Sequence, residues 1–543
     1  MLTALSVGAV IAHDPGRMLG QALWRDENWV AVTLRVPIGR LPALTSTTPL
    51  LFTALLRLTP HADPSQLRLL PLAFTVAAIW AAYLLGRQLG MTPITGIGLA
   101  AATAFAPALL LRHDLKQYTA EAFVAVLLVW LQARLERDWT RPHLLALCGA
   151  LAASPLLANG AVFLAPAVVA GIVFSVVVRR RWEHLPEILV GGGAALLIDL
   201  FLLIGVDRRG DTASLRAYWD NYYVPTDHGL SVALSFIRSH AHSELSAVGL
   251  GPSLAVVVLV LLGLIALARS AAPGLTLVLP ICAVEQVAAA TLHQYPLWDE
   301  RTSTWFTLMI FLTAVGGLVG AARAAVRLVA GAGRRARPVG LAMGVGLIAT
   351  LTALAHPYSR AVDQAVRTRT PLEDVHGQTQ TILADYRPGD VVVANTDAGF
   401  GLAVYWPAQP SLVTDLARLE TFRVTYPPAA RVVVAATIST PAELAAVDQA
   451  VSMATAGHGR VWIVLSHWHT AERATMMKAL ADHGRITTPD HQHGLENVML
   501  LTLGRAAGTP ATAGAGTPAT PRAGTPATAG PAPAGPATPP APG

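Results

Sequence analysis

Charge is scarce in this chain of 543 residues: Asp, Glu, Lys and Arg make up 13% of it, about half the roughly 25% usual in soluble domains. That shortage, with 53% apolar residues and a mean hydropathy of +0.49, excludes an ordinary soluble enzyme, a disordered protein and a nucleic-acid binder. It leaves a polytopic membrane protein in a lipid bilayer. Lysine is nearly missing. Only Lys116 and Lys478 occur, so the net charge of +6 is carried by arginine, and its meaning lies in which loops hold it. Cysteine is scarce too: Cys148 and Cys282 both lie in apolar runs. They neither staple an exported domain nor offer a thiolate or zinc cluster.

What is abundant is apolar sequence in runs of membrane length. Ten segments approach or meet the roughly 17 to 25 residues that a span needs: Leu67–Leu85, Pro93–Leu111, Thr119–Ala133, Pro142–Ala158, Ala161–Val178, Pro186–Val206, Ser253–Ala268, Pro273–Leu292, Thr304–Ala322 and Val339–Ala355. Arginine follows the odd-numbered spans: Arg87, then Arg134, Arg137 and Arg141, then Arg179 to Arg181, then Arg269, then Arg323, Arg327, Arg334, Arg335 and Arg337. The positive-inside rule makes those loops cytoplasmic and every other connection extracytoplasmic, including Arg112–Tyr118, Asp207–Gly251 and His293–Ser303. Met1–Ala12 is apolar but too short to span, and it reads as the stump of a truncated first helix. Leu50–Leu58 suits a helix lying along the membrane surface.

After Pro357 the pattern turns soluble. Helical periods are expected at Leu372–Tyr386, Pro441–Ala454 and Ala471–His483, and strands at Asp390–Ala394, Arg431–Ala436, Arg460–Ser466 and Asn497–Leu503. This is a small extracytoplasmic α/β domain. From Gly508 an eight-residue repeat runs GTPATAGA, GTPATPRA, GTPATAGP, a composition with nothing to bury and expected to be disordered. The divisions are residues 1–66, a truncated helix and first outer loop; 67–355, the transmembrane region; 356–505, the α/β domain; and 506–543, the Thr/Pro/Ala/Gly-rich tail.

The residues able to carry chemistry lie in the outer loops. Trp24-Arg25-Asp26-Glu27-Asn28-Trp29 sets two adjacent carboxylates between interfacial aromatics; either they serve as a general base on an acceptor hydroxyl, or they cap a solvated helix. Arg112-His113-Asp114-Leu115-Lys116-Gln117-Tyr118 gathers cations and an acid on the lip of a helix, suited to an anionic phosphate headgroup or to snorkelling charge. Tyr295-Pro296-Leu297-Trp298-Asp299-Glu300-Arg301 adds another arginine at the same face. Asp199 and Glu285 sit inside predicted spans, where interhelical hydrogen bonding is the plainer reading. The histidines His467, His469, His483, His491 and His493 complete no known ligand spacing. A divalent metal is possible but not indicated, and no cofactor is expected.

Taken in order, these motifs resemble the GT-C membrane glycosyltransferases of family 39 type, the group of the protein O-mannosyltransferases and the lipid A aminoarabinose transferase. The likeness rests on the outer-loop Asp26-Glu27, on Thr47-Thr48-Pro49-Leu50, on Leu67-Arg68-Leu69-Leu70-Pro71 and Tyr83-Leu84-Leu85-Gly86-Arg87, and on Leu115-Lys116-Gln117-Tyr118-Thr119. It extends to Tyr295-Pro296 with Arg301, to Pro388-Gly389-Asp390-Val391-Val392 and to Arg460-Val461-Trp462. The family often has His-Pro-Pro where this chain has Thr47-Thr48-Pro49, and Ser-Gln where it has Arg112-His113.

The resemblance implies a GT-C-like polytopic fold of about ten to eleven spans and a transferase that uses a polyprenyl-phosphate-linked sugar at the outer face of the cell membrane. By the same resemblance Asp26 is the catalytic base with Glu27 beside it, Asp114 is the second-loop carboxylate, and Lys116 and Arg301, with Arg112 and Tyr118 nearby, hold the lipid phosphate. The reaction would be a single inverting displacement onto an extracytoplasmic protein, glycan or lipid. Two other classes fit parts of the pattern: an inactive relative or membrane scaffold, and a lipid or sugar transporter, which would show related, interrupted halves.

Overall fold

Backbone amides have no water to bond in a bilayer, so long apolar runs must close their hydrogen bonds internally as helices. The computed structural model describes residues 1–44, 48–60, 63–89, 93–205, 212–331, 337–367, 373–454, 459–467, 470–487, 491–493 and 496–503. Among them, Pro64–Gln88, Tyr118–Arg137, Ala161–Val178, Trp182–Gly205 and Thr304–Arg327 are long and apolar enough to cross a membrane, and Leu2–Ala12, Ser253–Ala268 and Leu275–Thr291 are shorter apolar helices. The chain is a polytopic helical membrane protein with a small α/β unit at one end.

Most expected spans are helical within a few residues, and the departures have local causes. The run expected as one span at Pro93–Leu111 is two helices, Pro93–Ala104 and Pro107–Leu110. Pro107 cannot donate the bond that would continue the first, and Ala106 before it is extended at φ −64°, ψ 124°. The fourth segment contracts to Arg141–Ala153, and the last lengthens into Arg337–Arg367. The region expected as the loop Asp207–Gly251 contains the helices Ala213–Tyr218 and Leu230–Ala247. The arginine-rich ends of the spans meet one another: Arg137 Nη1 donates to the Gln88 carbonyl at 3.4 Å, and Arg179 donates to the carbonyls of Glu136 at 3.0 Å and Ala271 at 2.6 Å. The intervening loops gather at the opposite end, as alternation of spans requires. Arg334, Arg335, Thr47 and the repeat tail lie outside the described residues.

Among the described residues the α/β unit has eight strands: β1 Val391–Ala394, β2 Ser411–Thr414, β3 Phe422–Thr425, β4 Val432–Val434, β5 Arg460–Leu465, β6 Gly484–Ile486, β7 His491–His493 and β8 Glu496–Leu503. The main sheet runs β4-β1-β5-β8-β6, with β7 also on β8; β1 is parallel to both β4 and β5, while β8 is antiparallel to β5. Strand β1 is buried throughout, which fits a central parallel strand covered on both faces. The helix Thr396–Tyr405 leaves the C-terminal end of β1 with Asn395 capping it, its side chain accepting from the Ala398 N–H at 3.0 Å. That helix packs against Arg25–Val32 of the first loop. One apolar cluster joins Leu23, Trp29, Val30 and Phe52 to Phe400, Ala403, Phe422 and Val424, so the α/β unit and the first loop share a core.

Candidate active site

The helix Arg25–Val32 begins at Trp24, whose N–H donates to Glu27 Oε2 at 3.1 Å, the return half of a capping box. Neighbouring residues on a helix point about 100° apart, and this separates the two carboxylates. Glu27 is fully buried. Arg68 grips it with two donors, through Nε at 2.7 Å and through Nη2, and the Leu115 N–H donates to Glu27 Oε1 at 2.7 Å. Arg68 also donates to the carbonyls of Met18, Gln21 and Ala22. Glu27 thus has no face left toward a substrate: it ties the first loop to the second, and so sets Lys116 beside Asp26.

Asp26 faces the other way. Its carboxylate meets Arg25 Nη1 at 3.3 Å and Arg301 Nη1 at 3.4 Å, with its side chain 14% exposed. Burial by itself would raise its pKa, but Lys116, Arg25, Arg301 and His467 outweigh that effect and hold it below the ordinary carboxylate range. Lys116 is buried with its Nζ 4.7 Å from the centre of the Trp29 ring, a cation–π contact. Its pKa is lowered by burial and by the charges of Arg301 and Arg25, against the support of Asp26 and Asp114.

Arg301 stands on a turn ordered by Asp299, whose Oδ2 accepts the N–H groups of Arg301 and Thr302 at 3.1 Å each. Its Nη2 donates to the Tyr218 hydroxyl at 3.2 Å. Burial alone would lower the pKa of Arg301; Tyr118, Asp26, Tyr218 and Asp299 raise it, so the guanidinium stays charged. Arg112 donates to both the carbonyl and the carboxylate of Glu300 at 3.2 Å and lies over Tyr118, 5.6 Å from the ring centre. Asp114 is half-buried, and its charge reaches Lys116. Three loops at one end of the bundle therefore converge, bringing Asp26, Lys116 and Arg301 together with Arg112, Asp114 and Tyr118 around them. Glu27 is set apart as a support.

Sequence reasoning missed the clamp behind Asp26. The three donor nitrogens of Arg25 reach three carboxylates: Nε to Asp397, Nη2 to Glu420 at 2.8 Å and Nη1 to Asp26. Its backbone N–H donates to Glu373 Oε2 at 2.7 Å, and Glu373 Oε1 holds His467 Nδ1 at 2.6 Å. Asp397, Glu420, Glu373 and His467 all belong to the α/β unit, so that unit orients the loop carrying Asp26. Only Asp397 had a signal, because it sits just past the C-terminal end of a parallel strand, where functional groups concentrate.

Among the described residues no three His, Cys, Asp or Glu side chains form a metal-binding group. His483 pairs with Asp448 at 3.0 Å, and His469 lies outside the described residues. Asp199 has neither carboxylate oxygen bonded among the described residues, and Glu285 Oε2 likewise lacks a partner. The interhelical hydrogen bonds expected of them are therefore not made at these atoms.

By sequence, no protein family and no curated protein matches the chain. Solved structures do. The chain is similar to ArnT from Cupriavidus metallidurans bound to undecaprenyl phosphate, with a TM-score of 0.50 at 12% identity over 92% of this chain and 97% of that one. The fold is that of the GT-C membrane glycosyltransferases. ArnT in the apo state aligns as well, at TM-score 0.50 and 14% identity over the same shares. A third GT-C structure, the oligosaccharyltransferase AglB from Archaeoglobus fulgidus in complex with an inhibitory peptide and a dolichol-phosphate, aligns at TM-score 0.49 and 12% identity over 86% of this chain and 69% of that one. The GT-C likeness runs through both the helical bundle and the α/β unit, since the shared length is nearly the whole chain.

Proposed function

We propose that this chain is a membrane glycosyltransferase that moves a sugar from a polyprenyl-phosphate carrier to an acceptor hydroxyl on the extracytoplasmic face. The observation that carries the reading is the position of Asp26, a carboxylate kept ionised between Arg301 and the charge of Lys116, where three outer loops converge. The structurally similar ArnT holds undecaprenyl phosphate, and the cations here suit that phosphate chemistry.

In the proposed reaction Asp26 takes the proton of the acceptor hydroxyl while the oxygen attacks the anomeric carbon. The bond from that carbon to the phosphate oxygen breaks, and its electron pair leaves on the phosphate. One displacement inverts the anomeric centre. Lys116 and Arg301, with Arg112 and Tyr118 at the rim, stabilise the phosphate as it gains charge. Donor binding also tunes the base: the single negative charge of the donor phosphodiester beside Lys116 and Arg301 offsets part of the positive charge that depresses Asp26, so its affinity for a proton rises once the donor is seated. Asp114 supports Lys116 from the second loop, and Glu27 holds the two loops in register.

The site side is assigned to the extracytoplasmic face because the arginine-rich ends of the spans lie opposite it. On this reading residues 356–505 form the outer domain that positions the first loop. The acceptor class is a hydroxyl of a protein, glycan or lipid, and the donor a hexose or pentose such as mannose or arabinose. Sugar release from radiolabelled polyprenyl-phosphate sugars, measured in membranes carrying this chain or its Asp26→Asn variant, tests the assignment. Release lost in the variant supports it, equal release in both removes Asp26 as the base, and no release from any donor favours an inactive relative.

A further inference from the structure

A cavity of about 580 Å³ opens among the membrane helices, lined from Tyr118–Arg137, Ser253–Ala268, Leu275–Thr291 and Thr304–Gly331. It lies far from the site above. Arg323 and Arg327 on its wall lie roughly 28 and 35 Å along the helix axis from Thr304, where the helix after Arg301 begins, at about 1.5 Å per residue. Beside the cavity two glycines bring the helices Ser253–Ala268 and Thr304–Gly331 into backbone contact. A Cβ on Gly263 would lie 2.1 Å from the Thr313 carbonyl oxygen, and one on Gly317 would lie 2.1 Å from that of Leu259. The two helices stay close one turn further on, where a Cβ on Gly320 would lie 3.1 Å from the Ala266 Cβ. Gly316, on the cavity wall, has open space where a Cβ would stand.

The lining divides by chemistry. Most of it is Leu, Val, Ile, Ala and Gly, while Arg269, Arg323 and Arg327 add three guanidinium groups, and among the described residues no carboxylate lines the cavity. A pocket that is apolar along its length and cationic at one end suits an amphiphile with a negative head. By the positive-inside rule that end faces the inner leaflet, where anionic lipids supply such heads. We infer that this cavity binds one anionic glycerophospholipid, its phosphate held by Arg269, Arg323 and Arg327 and its acyl chain laid along the apolar wall past Gly316. The occupant is separate from the proposed sugar donor, whose phosphate belongs at the opposite end of the bundle.

The test uses the full chain, purified and delipidated in a neutral detergent, and titrated with phosphatidylglycerol and with phosphatidylcholine while bound lipid is read by native mass spectrometry. The expected result is one tightly held phosphatidylglycerol per chain, preferred over phosphatidylcholine by at least tenfold, and no binding of glycerol 3-phosphate, which has the head without the chains. Replacing Arg269, Arg323 and Arg327 with Gln weakens phosphatidylglycerol by about fivefold per arginine and abolishes the preference. Gly316→Phe, which fills open space and leaves the Gly263–Gly317 crossing untouched, removes the bound lipid of either kind. Equal binding of the two lipids by the native chain overturns the inference, as does a preference that survives both variants. Displacement of the lipid by equimolar undecaprenyl phosphate also overturns it, by assigning the cavity to a polyprenyl chain.

Discussion

Replacing Arg25 with Met removes what are, among the described residues, the one cation to which Asp397 is bonded and one of two near Glu420, both carboxylates being almost fully buried. Removing one partner of a buried ion pair costs about 3 to 5 kcal/mol, because the remaining charge stays desolvated. Arg418 still reaches Glu420 at 3.5 Å, so the larger share falls on Asp397. The apolar cluster of Leu23, Trp29, Phe400 and Phe422 is untouched by the change, and the two parts stay joined. The loss instead shows as local opening of the Arg25–Val32 and Thr396–Tyr405 helices. At 1.4 kcal/mol per factor of ten, amides in those helices exchange hydrogen about 10² to 4 × 10³ times faster. Hydrogen–deuterium exchange in micelles measures this directly. Arg460→Met is the control, since its ion pairs to Asp385 and Asp390 lie within the α/β unit, and it leaves the junction at the native rate. Arg25→Lys does not rescue, because one ammonium cannot reproduce a fork that serves three carboxylates from three nitrogens. Junction exchange within threefold of native in Arg25→Met would refute the claim that this clamp holds the first loop.

Glu27→Gln and Arg68→Met each lower the stability of the chain by about 3 to 5 kcal/mol, which melting curves of the two variants check. kcat/KM stays level as pH falls through the ordinary carboxylate range, since it reports the free chain, where the pKa of Asp26 lies below that range. Lys116→Gln and Arg301→Gln each raise that pKa and move the acid limb of the pH–rate profile to higher pH. His467 has a raised pKa, first through its hydrogen bond to Glu373 and against burial. Its contribution to stability is therefore full below about 6.5, the unfolded value, and is lost as pH rises through the higher folded value. Melts between pH 6 and pH 9 show this decline, and His467→Gln flattens it.

The helical bundle was legible because a bilayer leaves apolar runs only one backbone solution, and because arginine marks alternate loops. Lys116 and Arg301 stood out for a related reason: a cation in a short loop of an otherwise apolar chain is conspicuous. Glu27 was legible as a neighbour of Asp26 but not in its role, since its main partner Arg68 is 41 residues away and adjacent helical positions diverge. The clamp was further from view. Asp397 and Glu420 lie 372 and 395 residues from Arg25, and nothing local in an α/β unit says which carboxylate will meet a membrane loop. The Leu230–Ala247 helix was hidden because its Arg238, His240, His242 and Glu244 fail any test for a span, and a search for spans reads it as loop. Pro107 sat in plain sight as a break in the second run, overridden by the hydropathy around it.

The most direct test of the central claim is a steady-state comparison of the native chain with Asp26→Asn on a polyprenyl-phosphate sugar that the native chain turns over. A positioned base contributes about 10² to 10⁴ in rate. The account therefore predicts a fall of that size in kcat while KM for the donor stays within a few-fold, because Lys116 and Arg301 still hold the phosphate. An unchanged kcat in Asp26→Asn, or a loss confined to KM, would contradict it.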